Sequence, residues 1–158
     1  MIPYILSRIL QSLVVMLCVA MISFSNFGYS RHPSAVKVRR ATELVRRRAP
    51  ELVVDGEMQA QVAITPELSD VFPCSAVEGR ANVLVFPDIQ SANAAYQLVD
   101  RLTDGETIGP ILIGLQRPVH VLQHVSEVKD IVNMAAIATV DANEQPALVI
   151  PEAVAHVR

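Results

Sequence analysis

Several residues have types and spacings that can do chemistry. His120 and His124 stand four apart, a spacing that faces both imidazoles to one metal ion, but only on a helix. Their surroundings, PVHVLQH, read as a strand running into a loop. Asp55 and Glu57 flank a glycine and can act as a carboxylate pair in acid/base work. Asp-Gly-Glu after a short β-branched run is read more simply as a turn with solvated ends. Lys37, Arg39, Arg40 and Arg46 to Arg48 make a basic run. It can hold phosphates or an anionic membrane face, or be an ordinary solvated helix face. Asp130 sits in the first turn of a predicted helix, where any carboxylate is favourable. Cys18 and Cys74 are far apart and fit no metal or redox spacing, so two buried, reduced thiols are the simplest reading. Gly109-Pro110 and Gly114 fit no phosphate-loop pattern and are read as chain geometry.

The elements that position these residues alternate. SAVKVRRATELVRRRAP reads as a helix with Ser34 as cap and Pro50 as its stop. ELVVDGEMQAQVAI follows, with a β-branched run before the Asp55-Gly56 turn, and TPELSDVF reads as a short helix opened by Thr65 and Pro66. Ala81 to Phe86 is a near-continuous apolar run, as in a parallel strand buried on both faces. Pro87-Asp88 turns the chain into the helix IQSANAAYQLVDRL, with Asp88 as N-cap. Thr107 to Leu115 and Pro118 to Leu122 read as two further strands. The last helix, SEVKDIVNMAAIATV, takes Ser126 as cap, with Val128, Ile131, Val132, Ala135 and Ile137 as its buried stripe. The class is therefore α/β: a partial three-layer α/β/α domain with a mostly parallel sheet. Leu148 to Ile150, in the tail 144–158, can add a short strand.

At 158 residues the chain suits one domain rather than two. A net charge of −3 and the absence of tryptophan speak against nucleic acid as a partner. Much of the 51% hydrophobic content lies in residues 1–24, an apolar stretch long enough to be a transmembrane helix. Arg8 precedes its apolar run, whereas Arg31, Lys37, Arg39, Arg40 and Arg46 to Arg48 follow. A lone span would keep that basic side in the cytoplasm, which makes the expected location cytoplasmic with a membrane tether through residues 1–24.

SFSNFG, RRAPELVVDGEMQ, GRANVLVFPD, NAAYQLVDRL, IGPILIGLQRPVHVL and DIVNMAAIA, in this order, resemble the C-terminal part of the phosphate acetyl/butyryltransferase family. SNFG, the histidine of PVHVL and the IVNM helix are most similar to the transferase-like domain of bacterial NADP-dependent malic enzymes. The resemblance covers Val19 to Asn143 and implies acetyl-CoA or coenzyme A as ligand, with no other cofactor. It implies a homo-oligomer as well. Active family members convert acetyl-CoA and phosphate into acetyl phosphate and coenzyme A. The resemblance implies that an aspartate on the last helix takes the nucleophile's proton, while a Ser-Arg pair in the preceding loop orients thioester and phosphate. By position the aspartate is Asp130, but Gln123 and His124 stand where the Ser-Arg pair is expected. Gln123 lacks the hydroxyl, and His124 is neither permanently charged nor bidentate. The family's site also needs a first subdomain, which this sequence lacks.

These departures predict an acetyl-CoA-responsive part of a malic enzyme that is not itself catalytic. Gln123, His124 and Asp130 are its acyl-CoA-binding candidates, and Asp130 the catalytic candidate if activity survives. The alternative is the remnant of an active phosphate acetyltransferase. MIPYILSRILQSLVVMLCVAMISF is similar to the opening of a dipeptide-type ABC transporter permease. That likeness predicts a chimeric frame joined between Val19 and Phe24, and a third reading as a membrane-anchored, transport-related protein.

Overall fold

The computed structural model describes residues 17–144 except 116 and 125. They divide into two compact units, one ending at Val99 and one starting at Asp100.

The first unit is built on strand β1 (Cys18–Ile22), which lies at the centre of a three-stranded parallel sheet. Strand β2 (Val53–Met58) pairs with one of its edges and β3 (Val83–Val85) with the other. Because successive side chains of a strand point to opposite faces, β1 serves two cores. Val19 and Met21 pack with Val54 of β2 and Val38 of helix α1 (Pro33–Arg48). Ala20 and Ile22 pack on the other side with Met58, Val77 and two residues of the short helix α2 (Ala60–Ile64), Val62 and Ala63. Residues 18–22, read from the sequence both as the end of an apolar helix and as a family strand, are thus strand. The reason is their pairing on both edges, which a helix cannot offer. Residues 1–16, the rest of that expected helix, and the tail from 145 lie outside the described residues. Among the described residues no helix is long and apolar enough to cross a membrane.

Several local expectations are corrected by partners distant in sequence. Helix α1 is capped by His32, whose Nδ1 accepts from the Ser34 N–H at 3.3 Å, rather than by Ser34. Asp55-Gly56 is no turn; it lies inside β2, and both neighbouring carboxylates are buried. A single 3₁₀ turn, Pro66–Leu68, replaces the helix expected over TPELSDVF. Strand β3 forms where Ala81 to Phe86 predicted one, but Leu84 and Val85 are exposed because it is an outer strand. Helix α3 (Ile89–Leu102) matches its prediction, and Asp88 Oδ1 accepts from the Ser91 N–H at 2.8 Å, as an N-cap should. Cys18 is half-buried and Cys74 exposed, so only the first resembles a core thiol.

The second unit contains helix α4 (Val128–Glu144) and the segment before it. Neither Thr107 to Leu115 nor Pro118 to Leu122 forms a strand among the described residues, and Ile113 is 88% exposed. A strand exists only through a ladder partner, and the described residues supply none here. Most of the predicted stripe of α4 is likewise uncovered: Val128, Ile131, Val132 and Ala135 are exposed and Ile137 is half-buried, whereas Met134 is buried.

Candidate functional site

Helix α1 runs back along β2 with arginines two turns apart, Arg39 and Arg46. That spacing, about 10 Å, is matched against carboxylates two residues apart on β2, about 7 Å, and the long side chains absorb the difference. Arg46 pairs with Asp55, whose Oδ1 also accepts from the Gly56 N–H at 2.8 Å and whose Oδ2 accepts from the Ala76 N–H at 2.7 Å. Arg39 grips Glu57 through both carboxylate oxygens, Nε to Oε2 at 2.8 Å and Nη2 to Oε1 at 2.8 Å. Glu57 Oε1 further accepts from the Ser25 hydroxyl at 3.1 Å and the Gly28 N–H at 3.0 Å.

This network fixes the SFSNFG loop over the carboxyl ends of β1 and β2, the end of an open α/β sheet where ligands bind. Ser30 N–H donates to Ser25 Oγ at 3.0 Å, Arg39 Nη2 to the Ser30 carbonyl at 2.9 Å, and Gln59 N–H to Asn26 Oδ1 at 2.7 Å. The residues read as a solvated turn and a solvated basic face are therefore one interlocked set. Arg40, Arg47 and Arg48 remain exposed, as that reading expected. With both Glu57 oxygens engaged, the Asp55–Glu57 pair has no free base, so its chemistry is structural.

Burial pushes the Glu57 carboxyl up, but Arg39, the Gly28 N–H and the Ser25 hydroxyl outweigh it and hold the group below the usual carboxylate range. A carboxyl with a lowered folded value contributes its stability fully above the unfolded value, near ~4.3, and loses it as pH falls through the folded value. Denaturant unfolding at stepped pH should therefore show stability falling once pH drops below about 5. Glu57→Gln should flatten that slope.

The predicted acyl-CoA residues lie in the second unit, on one hydrogen-bonded turn. Gln123 N–H donates to Ser126 Oγ at 3.0 Å, and Ser126 N–H returns to the Gln123 carbonyl at 3.0 Å. Ser126 thus closes the turn instead of capping the helix. Asp130 supplies the cap: its Oδ2 accepts from the Glu127 N–H at 2.7 Å, the back-reaching half of a capping box. Gln123 and His124 are exposed and Asp130 is half-buried. The turn presents an amide, an imidazole and a carboxylate, which suit polar recognition of an acyl or phosphate group. It presents no guanidinium to neutralise an oxyanion. His120 does not join His124; it turns to Asp141, with Nε2 at 3.3 Å from Oδ2.

Sequence reasoning missed the Arg39–Glu57 and Arg46–Asp55 pairs. Their signal was present as arginines seven apart on a helix facing acids two apart on the next strand.

The phosphate acetyl/butaryl transferase family matches residues 7–139. This match begins before Val19 and so overlaps part of the segment read as permease-like. The chain is 47% identical over 130 residues to the NADP-dependent malic enzyme of Escherichia coli, covering 81% of this chain and 17% of that one. It is 45% identical over 125 residues to the phosphate acetyltransferase of Acetivibrio thermocellus, covering 78% of this chain and 38% of that one. A phosphotransacetylase structure from Streptococcus pyogenes superposes with a TM-score of 0.78 at 42% identity, over 83% of this chain and 40% of that one. The chain thus spans about one-sixth of the malic enzymes and two-fifths of the transacetylases it matches. It belongs to the phosphate acetyl/butaryl transferase family.

Proposed function

We propose that this chain is an acetyl-CoA-responsive part of an NADP-dependent malic enzyme and does not itself transfer the acetyl group. The observation that carries the reading is the turn from Gln123 to Asp130. It holds an amide and an imidazole where a hydroxyl and a guanidinium are expected, and its carboxylate caps α4. Losing the fixed cation should cost about 3 kcal/mol of transition-state stabilisation, by analogy with removing one oxyanion donor. Binding needs less than catalysis does. The exposed Gln123 and His124 can still donate to a thioester or phosphate oxygen, and Asp130 Oδ1 accepts no hydrogen bond from the described residues.

The second reading, a remnant of an active phosphate acetyltransferase, draws on the retained Asp130 and the equally strong likeness to acetyltransferases. Thiol release from acetyl-CoA in the presence of phosphate separates the two. The proposal expects no phosphate-dependent release by the full chain, and none to lose in Asp130→Asn. Turnover that Asp130→Asn abolishes would establish the second reading instead.

A further inference from the structure

The side chain of His120 is only 3% exposed, yet among the described residues neither Nδ1 nor Nε2 has a well-aligned hydrogen-bond partner. A buried ring nitrogen without a partner is costly. Among the described residues, the carboxylate that approaches it is that of Asp141, whose Oδ2 lies 3.3 Å from Nε2. Asp141 itself is 40% exposed and lines a cavity of about 120 Å³ with Leu112, Leu115, Arg117 and Pro118. That cavity leaves room for water to reach the carboxylate, while His120 is not among the residues that line it.

We propose that His120 is a positioning residue, clasped by Asp141, that fixes the segment presenting Gln123 and His124. The chain geometry supports this. Segment 117–122 forms no strand, so no ladder holds it in place. Asp130 caps helix α4 itself, whereas Asp141, near the other end of the helix, meets the histidine three residues before Gln123. Those two aspartates are eleven residues apart on one helix, about 16 Å. The turn runs directly into the start of this rigid rod, and the His120–Asp141 contact ties its incoming segment to the other end. The consequence for acetyl-CoA rests on the proposed function; the clasp itself does not.

The test is a cycle of His120→Asn, Asp141→Asn and the double variant in the full chain, read by amide hydrogen exchange over 117–124 and by titration with acetyl-CoA. Each single variant should speed exchange about fivefold, the double variant should add nothing further, and Asp141→Glu should regain protection by keeping the carboxylate. The acetyl-CoA dissociation constant should rise by the same factor and with the same non-additivity. Additive or absent changes in exchange would overturn the clasp, as would Asp141→Glu behaving like Asp141→Asn. Failure of the unsubstituted chain to bind acetyl-CoA would instead count against the proposed function, and the exchange cycle would still decide the clasp.

Discussion

Replacing Glu57 by alanine should destabilise the first unit by about 3 kcal/mol, near the lower end for breaking a buried ion pair. The direction follows from what remains. Glu57 is fully buried and accepts four hydrogen bonds, from Arg39 twice, Ser25 and Gly28. Without it, the Ser25 hydroxyl and the Gly28 N–H lose an acceptor, and the loop from Ser23 to Ser30 loses the group that gathers it. The Arg39 side chain is already 31% exposed and its guanidinium can rehydrate, which keeps the cost from the upper end of the range. Glu57→Gln should cost less at neutral pH, since the amide oxygen still accepts from Gly28. Urea unfolding of the three proteins, followed by far-UV circular dichroism, checks the order native, Gln, Ala. Equal stability of all three would mean that the loop is held by something other than this carboxylate.

Gly56→Ala should be at least as damaging. Gly56 has φ of +144°, a conformation that residues with a side chain rarely adopt, and it lies where β2 is irregularly paired with β1 beside Met21. A Cβ there would sit 2.5 Å from the Met21 carbonyl oxygen and 2.7 Å from its Cβ. Both belong to the central strand, which is paired on either side and cannot retreat. Backbone strain of about 1–3 kcal/mol and overpacking of about 1–3 kcal/mol act together, so a loss of about 3 kcal/mol or more is expected. The measurement is the same unfolding curve. A variant within about 0.5 kcal/mol of the parent, the range of an inert surface change, would contradict this packing at the β1–β2 junction.

Both effects come from Asp-Gly-Glu, and its misreading as a turn shows what the sequence could reveal. Local signals were legible: α1 and α3 follow from amphipathic spacing, Pro50 and Asp88, and β3 from the apolar run before Pro87. The β2 core was not, because the arginines that neutralise Asp55 and Glu57 lie on the preceding helix, and only the spacing of the two sets together gives the pairing away. The opposite error occurs at Thr107 to Leu122. Its apolar, glycine-containing pattern reads as strand, but pairing depends on a neighbour that local sequence does not name. Similarly, Ser126 looked like the cap of α4 by residue type, whereas Asp130 reaches back to perform that task. The candidate residues Gln123, His124 and Asp130 came from the family resemblance, and their local wiring, including His120 on Asp141, only from geometry.

Phosphorus NMR of the full chain with acetyl-CoA and inorganic phosphate tests the central claim most directly, because one spectrum reads binding and turnover together. The account predicts that the coenzyme A phosphate resonances shift or broaden as the chain is added, while no acetyl phosphate signal grows. Accumulating acetyl phosphate, or coenzyme A resonances untouched by a saturating amount of the chain, would contradict it.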